Sequence, residues 1–149
     1  MAYVVHHPHQ YVGHPVVGDW QGGNVGECAQ LAQQTWAHQQ KKDMPQTCFW
    51  TPGKRLIDCR PGELTPGTVL ATFDAHGRYW NRHGYHTVLY ESLTADTNGR
   101  PNTLTVIHQH QQIGHLIKSE TFNFRPNAHY RDARNYCVVE SRHGASGSW

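Results

Sequence analysis

A cysteine and two histidines are the residues of this 149-residue sequence with the clearest potential for chemistry. Cys28 lies at the predicted start of a helix, where the positive end of the helix dipole favours the nucleophilic thiolate by lowering the thiol pKa. A cysteine nucleophile needs a base, normally a histidine, and a third group that orients this base. His86 opens a predicted strand and is the candidate base, and His108 lies near the end of the next strand. The set predicts nucleophilic catalysis by Cys28, with His86 as its base and His108 as the group that orients this base.

The helix that carries Cys28 is predicted over residues 26–40. Small and apolar residues recur there at the spacing of one helix face, namely Cys28, Leu31, Ala32, Thr35 and Trp36. Asn24 is the predicted N-cap, and Glu27 follows three residues later, as in a capping box. The pattern therefore places Cys28 in the first turn of the helix.

The second half of the chain has the pattern of β-strands. Runs rich in β-branched and aromatic residues are separated by turn signals such as Asn98-Gly99. The predicted strands are Thr68–Phe73, His86–Glu91, Leu104–His110 and Tyr136–Glu140, with a weaker fifth strand in His115–Phe124. Residues 43–67 contain four prolines and are predicted to form loops. One helix followed by four or five antiparallel strands indicates an α+β fold.

Antiparallel pairing is what would bring the two histidines together. The start of one strand lies beside the end of its neighbour, so His108 is expected to share a face with His86 and to orient its ring. His110, two residues further along the same face, is the alternative third residue. Trp50 and Trp80, both predicted in loops, are expected to be core residues or walls of a groove, and as groove walls they are candidate substrate-binding residues.

Composition limits the classes of function. Charged residues make up 16% of the chain and the net charge is +2, with the basic residues scattered, so a nucleic-acid interface is not indicated. No apolar run approaches the roughly 18 residues of a membrane span. The length fits a single domain over residues 1–149. Asp19, Asp74 and Asp96 supply no close carboxylate pair, which argues against a glycosidase.

The other cysteines and the N-terminal histidines support weaker hypotheses. Cys48 and Cys59 are predicted to form a disulfide once the protein reaches an oxidising compartment. Cys137, in a predicted strand, is expected to be inert. Clustered imidazoles bind transition metals, so a histidine-rich metal-binding protein is one alternative. Its candidate ligands are His6, His7 and His9. The leading hypothesis requires no metal and no organic cofactor.

Several stretches resemble a known superfamily. Residues 24–33, NVGECAQLAQ, resemble the nucleophile helix of CHAP and NlpC-like cell-wall peptidases. Residues 84–90, GYHTVLY, resemble their catalytic histidine strand, and residues 106–108, VIH, resemble the strand that carries their third polar residue. Over residues 3–140 the chain more closely resembles a family of small bacterial proteins of this superfamily. That family has an acidic residue before the glutamine, where this sequence has His108.

The resemblance implies a papain-like or NlpC-like core, with the nucleophile helix packed on an antiparallel sheet of four to six strands. It also implies a cysteine amidase or peptidase that acts on peptidoglycan stem peptides or cross-links, with Cys28, His86 and His108 as catalytic residues. Tyr85, beside the candidate base, joins the two tryptophans as a candidate substrate-binding residue.

Cell-wall amidase effectors of type VI secretion systems share this size and this core and lack a signal peptide. The sequence likewise predicts no export signal, because the apolar residues 2–5 are followed at once by histidines. The resemblance implies a monomer made in the cytoplasm that acts in the periplasm of a target cell, with a cognate immunity protein as a partner. The alternative is a non-enzymatic protein of the same fold that binds the cell wall or a protein partner.

Overall fold

The computed structural model describes residues 2–17, 27–80, 84–110 and 116–142. Within these ranges the chain forms one α-helix and six β-strands, joined by turns and short 3-10 segments. These elements are α1 (Cys28–Gln40), β1 (Trp50–Arg55), β2 (Val69–Thr72), β3 (Thr87–Ala95), β4 (Pro101–His108), β5 (Lys118–Asn123) and β6 (Tyr136–Ser141). The predicted α+β class is therefore confirmed.

The six strands form one antiparallel sheet in the order β1-β6-β2-β3-β4-β5. In the pairing of β3 with β4, Leu89 lies opposite Ile107. On the other side of β4, Val106 lies opposite Glu120 of β5. This register brings the start of β3, the end of β4 and the start of β5 to one end of the sheet.

Alternation along the strands divides the core into two layers. One layer contains α1, whose Leu31 and Trp36 cluster with sheet residues that include Leu89 and Ile107. The other layer contains the residues that are adjacent in sequence to those of the first layer, as expected because successive side chains of a strand point to opposite faces. Its members include Val88, Val106, Phe122 and Tyr136. His86 and His108 share the parity of Val88 and Val106, so both rings lie on the face opposite to α1.

The helix begins two residues later than the sequence pattern predicts. The N-cap is Glu27, whose side chain accepts a hydrogen bond from the backbone N–H of Ala29. Asn24, the predicted N-cap, lies outside the described residues. Cys28 is consequently the first residue of α1.

The strand predictions have three notable differences from the structure. β1 lies in the segment predicted to be loop, where Pro52 and Gly53 mask the strand pattern; an edge strand tolerates proline because its outer N–H groups need no partner. β3 begins at Thr87, one residue after His86, and β4 ends at His108, two residues before His110. The weak fifth strand is present as β5.

In the part of the chain that the structure describes, no helix is long and apolar enough to cross a lipid bilayer.

Candidate active site

The start of α1 places the Cys28 thiol in a buried polar pocket. Cys28 is only 5% exposed. Its Sγ donates a hydrogen bond to Oε1 of Glu27 at 3.1 Å and contacts the hydroxyl of Tyr79 at 3.4 Å. It also lies 3.8 Å from the carbonyl oxygen of Tyr85, the residue before His86. The thiol therefore lies at the end of β3 that carries the candidate base.

This environment keeps the thiol protonated. Burial raises the pKa of Cys28 to about 12, the negative charge of Glu27 adds to the rise, and the hydrogen bond with Tyr79 opposes it. The expectation that the helix start lowers the thiol pKa is wrong for this arrangement. A carboxylate at the N-cap counteracts the positive end of the helix dipole at the very residue that would benefit from it.

The two candidate histidines are hydrogen-bonded to each other. Nε2 of His86 lies 2.7 Å from Nδ1 of His108, and the ring planes are almost perpendicular, at 83°. His86 is 1% and His108 0% exposed. Nε2 of His108 lies 3.0 Å from Oε1 of Glu120 on β5, and the other carboxylate oxygen of Glu120 accepts a hydrogen bond from Arg131. A buried imidazole pair is thus connected to a carboxylate that is part of an ion pair.

One ring nitrogen of His86 is hydrogen-bonded and the other is not. Its Nδ1 is buried and has no hydrogen-bond partner among the described residues. Burial lowers the pKa of His86 well below its usual range, and the nearby imidazoles of His108 and His110 lower it further. A neutral ring with one unpartnered buried nitrogen is suited to accept a proton from a group that approaches it.

Cys28 and His86 lie at the same strand end without a hydrogen bond between their side chains, since Nδ1 of His86 has no partner and Nε2 is taken by His108. The thiol instead contacts the peptide carbonyl that precedes His86. The backbone N–H of His86 donates to Oγ1 of Thr72 at 3.0 Å, which fixes the backbone of the candidate base.

His110, the alternative third residue, occupies a different position. Its ring stacks on Tyr130 with an interplanar angle of 4°, and its centroid is 5.5 Å from that of His86. Tyr130 also packs against His86 at 5.1 Å. His108, at the end of β4, and His110, two residues later, thus both lie close to His86. The hydrogen bond between ring nitrogens is formed with His108.

The three candidate substrate-binding residues differ in accessibility. Trp50 is the first residue of β1, is 2% exposed, and donates its indole N–H to the carbonyl of Pro45. The prediction that Trp50 lies in a loop and lines a groove is therefore wrong, because the strand turns its ring into the core. Trp80 is 38% exposed and donates to Oδ2 of Asp74 at 2.9 Å. Tyr85 is partly exposed and packs edge-on against Tyr79.

The remaining cysteines are free thiols, so the predicted Cys48–Cys59 disulfide is not formed in the structure. Cys48 is exposed, whereas Cys59 is buried and donates to the carbonyl of Arg55 at 3.4 Å. Burial raises the pKa of Cys59 to about 11. Cys137 lies on β6 and is partly buried. None of these thiols contacts the histidine pair.

The N-terminal histidines do not form a ligand set. Nδ1 of His9 lies 2.9 Å from Oε1 of Glu91. Across the described ranges, no group of three or more histidine, cysteine, aspartate or glutamate residues is arranged to hold a metal ion.

Sequence reasoning missed three polar residues at the site. The sequence pattern assigns Glu27 only a helix-capping role, and it gives Tyr79 no role at the site. Glu120 lies in the weakest predicted strand. It is two residues before Phe122, so both side chains lie on the same face of β5, and both contact His108. An acidic residue at an inward position of a strand was the signal that could have identified it.

The fold and the site together define an α+β protein in which a cysteine at a helix start meets a histidine-bearing antiparallel sheet. Among solved structures, the chain is similar to a protein described as type 6 secretion amidase effector 2 (Tae2), with a TM-score of 0.67 and 21% sequence identity. The similarity covers 95% of this chain and 96% of that one, and it shows that the two proteins share a fold, the papain-like architecture that the sequence predicted. No protein-family profile matches the sequence, and no curated protein is significantly similar to it.

Proposed function

We propose that this protein is a cysteine amidase that hydrolyses amide bonds in peptidoglycan stem peptides or cross-links. The observation that carries the proposal is the free, buried Nδ1 of His86 at the strand end contacted by the Cys28 thiol. A neutral histidine with one nitrogen held and the other available is the form that a general base requires. The shared fold with an amidase effector supports the same class of reaction.

In the proposed reaction, the Cys28 proton passes to Nδ1 of His86 and Sγ attacks the amide carbonyl. The negative charge that develops on the carbonyl oxygen is stabilised by the backbone N–H of Cys28 at the helix start. His86 then protonates the leaving amine as the C–N bond breaks, which leaves a thioester on Cys28. Water activated by the same imidazole hydrolyses the thioester and regenerates the thiol. His108 accepts the hydrogen bond from His86 and stabilises the imidazolium.

The proposed reaction requires a change in the resting contacts of the nucleophile. The thiol is hydrogen-bonded to Glu27 and Tyr79 on the side of the sheet that carries α1, whereas the His86 ring packs against Tyr130 on the opposite face, so the two groups must meet around the start of β3. Rotation about the Cα–Cβ bond of Cys28 moves Sγ away from the carboxylate, and bound substrate supplies the free energy for this step. Proton transfer to His86 then lowers the cost of forming a buried thiolate, because the charge is formed together with an imidazolium.

The biological setting of the proposal follows from the same likeness. As an amidase effector, the protein would be made in the cytoplasm, act on peptidoglycan in the periplasm of a target cell, and be neutralised in its producer by a cognate immunity protein. Trp80 and Tyr85, exposed or partly exposed near Tyr79, are the proposed substrate contacts.

One observation favours a second function. A thiol with a pKa of about 12 and 5% exposure has the properties of a structural cysteine. The second candidate is therefore a non-enzymatic protein of this fold that binds the cell wall or a protein partner.

Incubation of the purified protein with muropeptides, followed by mass spectrometry, separates the two functions. The amidase function requires new products that contain a free carboxyl and a free amine, and none from the Cys28→Ala variant. Cys48→Ala removes an exposed thiol outside the proposed site and serves as the matched control with full activity. Binding without cleavage, or cleavage by folded Cys28→Ala, would contradict the amidase function.

A further inference from the structure

The hydrogen bonds that lead away from His86 form a continuous chain to a charged pair. Nε2 of His86 contacts Nδ1 of His108 at 2.7 Å, and Nε2 of His108 contacts Oε1 of Glu120 at 3.0 Å. The second carboxylate oxygen of Glu120 accepts from Arg131. Each ring nitrogen in this chain has one partner, except Nδ1 of His86, where the chain ends.

The chemistry of Glu120 determines which nitrogens carry protons. An ionised carboxylate only accepts hydrogen bonds, so Nε2 of His108 must be the protonated nitrogen. In a neutral His108 ring, Nδ1 is then the unprotonated nitrogen and an acceptor. The bond between the rings therefore requires a proton on Nε2 of His86. Nδ1 of the neutral His86 ring is left with a free lone pair.

The surroundings keep the carboxylate ionised. The hydrogen bond from His108 lowers the pKa of Glu120, and the charges of Arg131 and Lys118 act in the same direction, against the effect of burial. Arg131 follows β5 in the chain and also packs over the ring of Tyr130, the residue that contacts His86. The pair of Glu120 and Arg131 thus closes the end of the chain that is remote from Cys28.

We propose that Glu120 is a positioning residue that sets the tautomer of His86 through His108, so that Nδ1 of His86 is the nitrogen free to accept the thiol proton. This inference rests on the proposed amidase function for its catalytic meaning, while its structural content concerns protons that can be observed without any substrate. Glu120 acts at two hydrogen bonds' distance from the base and contacts neither the thiol nor the substrate.

The direct test is ring-nitrogen NMR of protein with ¹⁵N-labelled histidine. The His86 signals are assigned by their loss in His86→Gln. In the wild type we expect Nε2 of His86 to be protonated and Nδ1 to be unprotonated. In Glu120→Met, which preserves length and removes the acceptor, we expect the His86 ring to become a mixture of tautomers. A wild-type ring that carries its proton on Nδ1 overturns the proposal, and so does an unchanged tautomer in folded Glu120→Met.

Glu91→Met is the matched control for this experiment. Glu91 is also a carboxylate on the sheet that contacts a histidine, His9, and its side chain is 25% exposed against 23% for Glu120. It is not part of the chain that ends at His86. We expect Glu91→Met to leave the His86 tautomer unchanged, and a shift as large as that in Glu120→Met would overturn the proposal.

Kinetics distinguish positioning from a merely structural role. We expect Glu120→Met to lower kcat by roughly 10- to 100-fold with a smaller change in KM, the same order of loss as when the hydrogen-bond partner of a metal-ligating histidine is removed. In a His108→Ala background the same substitution should change kcat by no more than about twofold, because its effect passes through His108. Equal losses in both backgrounds would show that Glu120 acts through the fold and would overturn the proposal.

The two measurements also separate this inference from the proposed function. A wild-type protein with the expected His86 tautomer, a tautomer shift in Glu120→Met, and no muropeptide cleavage would support the proton chain and refute the amidase. Cleavage that depends on Cys28, together with a His86 tautomer that is the same in the wild type and in Glu120→Met, would support the amidase and refute the proton chain.

Discussion

The carboxylate of Glu27 caps helix α1 and at the same time accepts a hydrogen bond from the thiol of Cys28. One side chain therefore fixes both the start of the helix and the protonation state of the candidate nucleophile. Removal of its charge should release part of the constraint on the thiol while burial continues to act.

We predict that Glu27→Gln lowers the pKa of Cys28 and increases its rate of alkylation by iodoacetamide at fixed pH. The amide retains an oxygen that can cap the helix, whereas the negative charge that raises the thiol pKa is lost. Labelling is followed by peptide mass spectrometry. Exposed Cys48 provides the internal reference and should label faster than Cys28 in the wild type and equally fast in both proteins. An unchanged Cys28 rate would show that burial alone determines the pKa.

Substitutions of the histidines should have graded effects on amidase activity. His86→Ala removes the base and should cost nearly as much as Cys28→Ala. His108→Ala removes the acceptor for His86 and should lower kcat by about 10²–10⁴-fold, whereas His108→Asn keeps an acceptor oxygen and should retain part of the rate. His110→Ala, which removes a ring that stacks on Tyr130, should have the smallest effect. A larger loss in His110→Ala than in His108→Ala would assign the third position to His110.

Stability should fall at acid pH because of His86. Burial holds the pKa of His86 well below its usual range in the folded state, whereas the unfolded chain binds a proton below about pH 6.5. The unfolded state thus binds more protons as the pH falls, so the stabilising contribution is full above that pH and is lost below it. We predict a steeper loss of unfolding free energy between about pH 7 and about pH 5 in the wild type than in His86→Gln, by up to about 1.4 kcal/mol per pH unit. Urea unfolding at several pH values measures it; parallel curves would contradict it.

The compartment in which the protein is expressed should determine its toxicity. Mature peptidoglycan lies outside the cytoplasm, so bacteria that express the protein without an export signal should grow normally. Bacteria that express it with a fused export signal should lyse, and those that export Cys28→Ala should not. Growth curves and microscopy provide the measurement. Equal toxicity in both compartments would point to a cytoplasmic target.

The sequence predicted the elements whose pattern is local and periodic. The apolar face of α1 and the runs of β-branched and aromatic residues in β2, β3, β4 and β6 identify these elements, because both signals lie within short stretches of the sequence. β1 escaped prediction because Pro52 and Gly53 are compatible with an edge strand but are not typical of strands.

The candidate site was predictable in part for the same reason. His86 and His108 follow from the parity of two neighbouring strands, and the structure places their ring nitrogens in contact. The raised pKa of Cys28 and the contact of Glu120 with His108 depend on which charges the folded chain brings near each group. Such long-range placement has no periodic signature in the sequence.

His108 and the residue after it serve opposite faces of the sheet. The Gln109 side chain donates to the carbonyl oxygens of Val17 and Glu27 and accepts from the N–H of Val17, next to the nucleophile, while His108 holds the ring of His86. Because side chains alternate with a period of two, inserting or deleting one residue here would exchange the two and detach both. Among related sequences, insertions and deletions should therefore occur in the exposed β3–β4 turn around Asn98 and be absent from the end of β4. The opposite orientations of His108 and Gln109 therefore restrict the insertions and deletions that this fold tolerates at the end of β4.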